Sequence, residues 1–358
     1  MSPEYVQEKV ARESCLVEPF AVTSITEEGR FTAANNDAAE SPRQSVVALK
    51  FGGSSLLGAE RMLHAAELVR AAARSSRVIV VVSAMKGVTD RLLSISRTLA
   101  EGKLSHARNE AEGVLHLHFD VLEDLQLEEA KHDRVRRGLQ LLGRDLLHEV
   151  PSQGRVATTP ELADRLASFG ERFSARLFAA ALEKSGVAAV PVSSSDFVLT
   201  CDTFRDAKPH LEETRARGRG ILLPLLEAAL VPVVTGFIGA TPDGRITTLG
   251  RNSSDFSGAI IAHVVDAEEL VIWTDVDGVY TANPHVSVEA KLLHDLSYDE
   301  AHALAASGAK VLHPHVLPLA AETEMTIWIR NTFKPHVRGT RIGLPQHADN
   351  RAQFGGAA

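Results

Sequence analysis

Residues 45–55 read SVVALKFGGSS, an apolar run that ends in a lysine, two glycines and two serines. The apolar run predicts a buried strand, and the glycines predict a tight turn directly after it. A helical pattern follows from about Gly58 to Arg74, and a second apolar run, VIVVV, covers residues 78–82. A strand, a glycine turn, a helix and a second strand in this order are typical of a parallel α/β sheet.

The same alternation continues along the chain. The patterns predict a helix up to about Leu99, two or three helices within 100–150, and a long helix over 160–184. Further strands are predicted at 188–192, 231–235, 246–249 and 269–274. A helix is expected to start near Ser254-Asp255 and a last one to cover about 298–307. The polar stretch 201–220 predicts a loop and a boundary between lobes.

Composition limits the function classes. The 358 residues are 44% hydrophobic and 23% charged, and the formal net charge is -8. An acidic balance favours neither nucleic acid nor an anionic membrane surface as a partner. No apolar run approaches the roughly 20 residues that a membrane span requires. Because Cys15 and Cys201 belong to no CxxC pair or Cys/His cluster, we expect reduced thiols in a cytoplasmic protein.

Residues 1–44 differ from the rest of the chain. They contain no apolar segment typical of a secretory signal, and acidic residues outnumber basic ones. Transit peptides are poor in acidic residues, so an organelle address is not expected either. We predict a polar, disordered N-terminal arm that ends near Ser41-Pro42.

The turn after the first predicted strand has the chemistry of an oxyanion site. Glycines let backbone N–H groups approach an anion, and a helix N-terminus adds favourable partial charge. Lys50 supplies a mobile positive charge for a phosphoryl oxygen. The P-loop pattern does not fit, because the lysine precedes the glycines. On this spacing alone, an ordinary tight strand-to-helix turn is the simpler interpretation.

Three later segments also combine turns with charged or hydroxyl residues. Residues 247–257, TTLGRNSSDFS, place Arg251 between a strand and a helix start, where Ser254 or Asp255 fits as a cap. Residues 273–284, WTDVDGVYTANP, are either an acidic turn or the side of a magnesium-nucleotide site. Residues 308–314 read GAKVLHP. His313 and His315 lack a third ligand, so no metal site is predicted there.

Taken in order, these four segments resemble the catalytic unit of aspartokinases, within the amino-acid kinase superfamily. The resemblance covers about residues 46–342 and is closest to the kinase part of bifunctional aspartokinase/homoserine dehydrogenases. It implies a three-layer α/β/α sandwich around a central, mainly parallel sheet. It also implies an enzyme that phosphorylates the β-carboxylate of L-aspartate with MgATP, the first step toward lysine, threonine and methionine.

The resemblance also implies a division of the chain. Residues 45–215 would form the lobe on the amino-acid and phosphoryl side, residues 216–343 the nucleotide lobe, and residues 344–358 a tail. Too few residues follow Ile342 for the ACT regulatory domains that many aspartokinases carry. We therefore expect no feedback by lysine or threonine through this chain. The resemblance also allows a homodimer.

Site residues are implied position by position. The transferring phosphoryl group would lie against Lys50 and Lys310, which Asp255 would organise. These three residues and Arg251 form the implied catalytic set. The nucleotide and its phosphates would contact Gly52, Gly53, Ser54, Thr274, Asp275, Tyr280 and Lys310. The amino acid would contact Ser83, Ala84, Thr89, Glu171, Phe237, Arg251 and Ser254, with Arg251 on its carboxylate and Glu171 on its ammonium group. Mg²⁺ would be held mainly by ATP phosphates and water.

Two positions depart from the usual aspartokinase pattern. Ser253 stands where a glycine is usual, which costs about 1 kcal/mol or more if that position needs a positive φ or a close approach of neighbouring groups. His285 stands where an arginine often lies, so it is a weaker phosphate contact. Two alternatives stay open: a kinase for another small amino-acid carboxylate in a specialised pathway, and a non-catalytic sensor with this fold.

Overall fold

The structure is a computed structural model that describes residues 45–154, 157–282, 287, 289–306 and 312–345. The predicted N-terminal arm lies outside these residues, as do Lys310, His285 and nearly all of the predicted tail. Within the described part of the chain, no helix is both long and apolar enough to cross a membrane.

Strands and helices alternate through most of the described chain. The strands are β1 (Val46–Phe51), β2 (Arg77–Val82), β3 (Ala189–Val192), β4 (Val231–Thr235), β5 (Ile238–Ala240), β6 (Ile246–Thr248), β7 (Glu269–Thr274), β8 (Val279–Tyr280), β9 (Leu292–Leu293), β10 (Asp295–Leu296), β11 (Thr326–Asn331) and β12 (Thr340–Ile342). The helices are α1 (Ala59–Ala72), α2 (Val88–Ala100), α3 (Leu104–Asp124), α4 (Glu129–Glu149), α5 (Pro160–Lys184), α6 (Leu211–Glu227), α7 (Ser254–Val264), α8 (Tyr298–Ala306) and α9 (Val316–Glu322).

The main sheet has eight strands in the order β10-β12-β11-β7-β1-β2-β4-β3. Its pairs are parallel except for β11 with β12, which is antiparallel. The first strand of the described residues, β1, lies between β2 and β7 near the centre of the sheet. Two short antiparallel pairs, β5-β6 and β8-β9, lie beside this sheet. This confirms the predicted α/β class and its mainly parallel sheet.

Alternating side chains of the central strands pack against two helical layers. Leu49 and Phe51 of β1 belong to a core shared with α1 to α5. Ala48 of the same strand belongs to a second core shared with α6 to α9. Successive residues of a strand point to opposite faces, and strands buried on both faces become continuously apolar, as VIVVV is. The sheet is therefore the middle layer of the predicted sandwich.

Two details of the sequence interpretation were wrong. Residues 211–220 belong to helix α6, because Thr214, Leu222 and Leu226 recur at helical spacing and are buried. The Arg- and Gly-rich sequence there resembles a loop, but Arg215 and Arg219 pair with Asp266 across the layer. The helix at 298–306 is also not the last element, since α9, β11 and β12 follow it.

The proposed boundary at residue 215 lies inside α6, and one sheet contains strands from both predicted lobes. A division into lobes therefore concerns where ligands bind and does not separate two sheets. Strands β1, β2, β4, β7 and β11 run parallel, so their carboxyl ends meet at one edge of the sheet. In open α/β sheets, ligands bind at this edge.

Candidate active site

An ion pair between a buried lysine and a partly exposed aspartate lies at the carboxyl end of the central strand. Lys50, the penultimate residue of β1, places its Nζ 2.6 Å from Oδ1 of Asp255, and its side chain is 9% exposed. Asp255 belongs to the first turn of α7. Gly258 of the same helix leaves room for Lys50, because a Cβ there would lie 3.3 Å from Cβ of Lys50. The helix N-terminus favours the negative charge of Asp255, and this carboxylate in turn holds the ammonium group of Lys50.

The glycine turn after β1 contacts both the end of β7 and the turn after β2. Gly52 donates its N–H to the carbonyl of Trp273 (3.1 Å), and the carbonyl of Gly53 accepts from the N–H of Lys86 (3.1 Å). A Cβ at Gly53 would lie 2.4 Å from the carbonyl oxygen of Ala84, so only glycine fits. Among the described residues, the N–H groups of Gly53 and Ser54 donate to no protein acceptor. This arrangement fits an anionic ligand.

The predicted amino-acid contacts converge on the same turn from the other layer. The N–H of Ser83 bonds to the carbonyl of Phe51 (3.2 Å), and the N–H of Ala84 donates to Oε1 of Glu171 (3.0 Å). Gly170 permits this contact, since a Cβ there would lie 2.6 Å from Cβ of Ala84. Thr89 follows in the first turn of α2. The structure therefore brings Ser83, Ala84 and Glu171 together and places Thr89 at the start of the next helix.

Glu171 has an unusual environment for a carboxyl group. It is 2% exposed, and burial raises its pKa from 4.5 to about 8, against the opposing effects of the Ala84 N–H and the charge of Lys50. Its Oε2 has no hydrogen-bond partner among the described residues. A cationic group that reached this atom would gain an acceptor and favour the ionised carboxylate.

Arg251 lies at the surface and not in the interior of the site. It stands between Gly250 (φ 89°) and Asn252 (φ 63°), so two left-handed residues shape the turn that carries it. Its Nη2 donates to Oδ1 of Asp90 at 2.7 Å, and both side chains are about two-thirds exposed. Asp90, which sequence reasoning missed, follows Thr89 in the first turn of α2.

The segment between Arg251 and α7 corrects two expectations. Neither Ser254 nor Asp255 caps the helix, because Ser253 occupies the cap position and its side chain makes no capping bond. Ser253 has φ -82°, so serine causes no backbone strain in place of glycine. The positive φ falls on Asn252, a residue type that tolerates it. The predicted cost of serine at position 253 therefore does not arise from the backbone.

Two neighbouring hydroxyls at the start of α7 have opposite hydrogen-bonding states. Ser257 Oγ accepts from the N–H of Phe237 (2.7 Å) and donates to the carbonyl of Ser253 (3.2 Å). This bond holds Phe237, a predicted substrate contact, at its positive φ of 66°. Ser253 is fully buried, and its Oγ has no partner among the described residues. Ser254 opens α7 and packs near Gly236.

The two serines should therefore respond differently to alanine. We expect Ser253→Ala to raise the free energy of unfolding by up to about 1 kcal/mol, because a buried hydroxyl without a partner is removed. Ser257→Ala should lower it by about 1–2 kcal/mol, because the N–H of Phe237 loses its acceptor. Urea unfolding of both variants measures the difference. A larger loss for Ser253→Ala than for Ser257→Ala would contradict the assignment.

The predicted nucleotide-side residues lie after β7. Thr274 Oγ1 donates to Asp275 at 3.4 Å, and the carbonyl of Thr274 accepts from the N–H of Thr332 (2.8 Å). Tyr280 lies in β8, and burial and the charge of Asp277 raise the pKa of its hydroxyl. These three predicted residues thus lie between the last residue of β7 and the end of β8, in a segment that starts at the carboxyl edge of the sheet.

Asp277 ties this loop to the end of β11. Its carboxylate accepts from the amide of Asn331 and from Nζ of Lys334 (3.0 Å). Burial acts to raise the pKa of Asp277, but the hydrogen bonds from Asn331 and Lys334 outweigh it and lower the pKa. Asp277 was part of a quoted motif, whereas nothing in the sequence pattern pointed to Asn331 or Lys334 as its partners.

The fourth motif is described only at its end. Lys310 lies outside the described residues, but His313 stacks on Phe256 with ring centroids 5.6 Å apart. Phe256 follows Asp255, so the segment after Lys310 lies at the start of α7. Burial lowers the pKa of His313. In the described parts of the chain, no group of three or more His, Cys, Asp or Glu side chains is arranged to hold a metal ion.

Comparison with known proteins gives a consistent result. The model of the amino acid kinase family matches residues 45–331. The lysine-sensitive aspartokinase 3 of Escherichia coli is 33% identical over 301 residues, which are 83% of this chain and 64% of that protein. The chloroplastic aspartokinase 3 of Arabidopsis thaliana is 33% identical over 300 residues, 82% of this chain and 52% of the relative.

Solved structures agree with these relatives. E. coli aspartokinase III in complex with aspartate and ADP superposes with a TM-score of 0.74 at 31% identity, covering 85% of this chain and 65% of that chain. The same enzyme in complex with lysine and aspartate gives a TM-score of 0.75. The chain spans less than two thirds of the length of each of these relatives.

Proposed function

Because this chain belongs to the amino acid kinase family, we propose that it transfers the γ-phosphoryl group of ATP to the β-carboxylate of L-aspartate, giving ADP and 4-phospho-L-aspartate. The observation that carries the proposal is the pair of buried Lys50 and Asp255 beside the Gly52-Gly53 turn, at the edge where the parallel strands end. A related structure that contains aspartate and ADP supports the choice of substrates.

The amino acid is proposed to bind between the turn after β2 and the turn before α7. Arg251 would bind a carboxylate, since its guanidinium has several fixed donors and is permanently charged. The free Oε2 of Glu171 would accept from the ammonium group. Ser83, Ala84, Thr89, Phe237 and Ser254 are proposed to line the remaining surface.

Phosphoryl transfer needs positioning and positive charge more than protein nucleophiles. The β-carboxylate is ionised at neutral pH and attacks the γ-phosphorus directly. Lys50 and Lys310 would neutralise the charge that spreads over the γ-phosphoryl oxygens, and the N–H groups of Gly53 and Ser54 would donate to them. Mg²⁺ would enter with ATP, held mainly by phosphates and water, and would supply further positive charge.

The nucleotide is proposed to lie against the loop after β7, with Thr274, Asp275 and Tyr280 as its contacts. Asp277 would keep this loop in place through Asn331 and Lys334. We further propose that the product feeds the biosynthesis of lysine, threonine and methionine in the cytoplasm, and that the protein assembles as a homodimer.

The decisive experiment measures ADP release with MgATP over a panel of amino acids, with hydroxylamine to trap an acyl phosphate. Turnover on aspartate together with the trapped β-hydroxamate is the expected result. Turnover on a different amino-acid carboxylate, with none on aspartate, would replace the proposed acceptor. No ADP release with any acceptor would contradict the assignment as a kinase.

A further inference from the structure

Asp90 is the residue that contacts the proposed carboxylate clamp in the structure. Its Oδ1 accepts from Nη2 of Arg251 at 2.7 Å. It lies in the first turn of α2, next to Thr89, on the helix that begins directly after the Ser83–Gly87 turn. The pair therefore connects the two turns between which the amino acid is proposed to bind.

The Arg251–Asp90 pair is exposed to solvent, and breaking it costs little free energy. The side chains of Arg251 and Asp90 are 70% and 66% exposed. Ion pairs of this kind contribute about 0–1 kcal/mol to stability, so an incoming ligand can replace the contact at little cost. A single Nη2 contact also leaves the other N–H groups of the guanidinium free for a second carboxylate.

A guanidinium beside a carboxylate is complementary to the head of an α-amino acid. Such a head carries a carboxylate and an ammonium group on the same carbon, so its two charges lie a few ångströms apart, as those of Arg251 and Asp90 do. A dicarboxylate that lacks the amine would meet the attraction of Arg251 and the repulsion of Asp90.

Glu171, the buried residue proposed to bind the ammonium group, offers few hydrogen-bond acceptors. Oε1 of Glu171 already accepts from the N–H of Ala84, which leaves Oε2. An ammonium group has three donors and needs further acceptors. The Phe169–Glu171 segment touches the start of α2, since a Cβ at Gly170 would lie 3.3 Å from Cγ1 of Val88. Asp90 lies in the same first turn of α2, on its solvent-exposed side, where it pairs with Arg251.

We propose that Asp90 is a specificity-determining residue, which accepts from the α-ammonium group of the acceptor while Arg251 binds its carboxylate. This inference rests on the proposed aspartate kinase function. It adds a surface carboxylate to the amino-acid site and makes the site selective for α-amino acids over plain dicarboxylates.

The test compares aspartate with succinate, which has the same two carboxylates and no amine. Asp90→Asn keeps an oxygen that can accept from Arg251 but removes the charge. We expect the KM for aspartate to rise about tenfold, with kcat within about twofold, because one charge-assisted bond is weakened. The inhibition constant of succinate should stay the same or fall, so that selectivity for aspartate drops about tenfold.

A purely positioning role would give a different pattern, in which aspartate and succinate weaken by the same factor. Such an unchanged selectivity would overturn the proposed role of Asp90. A lower KM for aspartate in the variant would overturn it as well. Asp295→Asn is the matched control, since it breaks a similarly exposed pair with Arg338 (2.8 Å) on β10. If the wild-type protein does not phosphorylate aspartate, the proposed function itself is wrong. The assay of the wild-type protein shows this before any variant is compared.

Discussion

Lys50→Met is expected to lower kcat/KM for phosphoryl transfer by about 10³-fold while the protein stays folded. Lys50 is nine-tenths buried beside the glycine turn, where its charge acts with little screening by solvent. Methionine preserves most of the length and packing of the side chain and removes only the ammonium group. The measurement is ADP release at saturating MgATP over a range of aspartate concentrations.

The main complication is Asp255, which would lose its counter-ion. A carboxylate left without a partner destabilises the fold, so a loss of activity in Lys50→Met has two explanations. The double variant Lys50→Met/Asp255→Asn removes both charges and so distinguishes the two explanations. We expect it to recover stability in urea but not activity. Lys103→Met is the control, because Lys103 is exposed and pairs with Glu101 at the surface. Full activity in Lys50→Met would refute the site assignment.

Glu171→Gln should weaken aspartate binding and, at the same time, stabilise the free protein. The amide keeps an oxygen for the N–H of Ala84 but cannot neutralise an ammonium group. A buried charge-assisted contact is worth about 1.5–3 kcal/mol, so we expect the KM for aspartate to rise about 10- to 100-fold. Glu161→Gln is the control, because Glu161 lies in the first turn of the same helix, where its partly exposed side chain pairs with Arg165.

The stabilising effect has a definite dependence on pH. Because burial raises the pKa of Glu171 from 4.5 to about 8, the folded protein keeps a proton that the unfolded chain releases. The wild-type protein should therefore lose stability as the pH rises from about 4.5 to 8, by on the order of a few kcal/mol at most. The glutamine variant lacks this loss, so its advantage should grow over that range. Urea unfolding at pH 5 and pH 8 measures it, and an advantage that is larger at pH 5 would contradict the buried carboxyl.

Local sequence patterns correctly predicted the strand and the turn that carry the first site residues. Lys50, Gly52 and Gly53 follow an apolar run directly, so a strand and a tight turn were expected at those residues, and the structure has them there. Glu171 and Asp255 were placed by resemblance, and the structure brings both to the same edge of the sheet. Membership of the amino acid kinase superfamily was predicted from the four motifs, and the match of the family model confirms it.

Contacts between distant segments were not predictable in the same way. Asp90 and Arg251 lie on different turns, and their pairing depends on how α2 and α7 are placed across the sheet. Asp277 meets Lys334 only because β7 and β11 are neighbours in the sheet. The expected cost of serine at position 253 depended on the backbone angle φ there. The residue type alone does not determine this angle, so the sequence could not decide it.

The central position of β1 has a consequence for synthesis of the chain. One of its edges pairs with β2, which follows soon after, but the other pairs with β7, which is separated from it by most of the chain. At about 5–20 residues per second, a ribosome needs tens of seconds or less to make the intervening segment. Throughout that time, the apolar VVALKF strand has an open edge that other nascent chains can join. Chaperone demand during expression should therefore last until residues 269–274 have emerged.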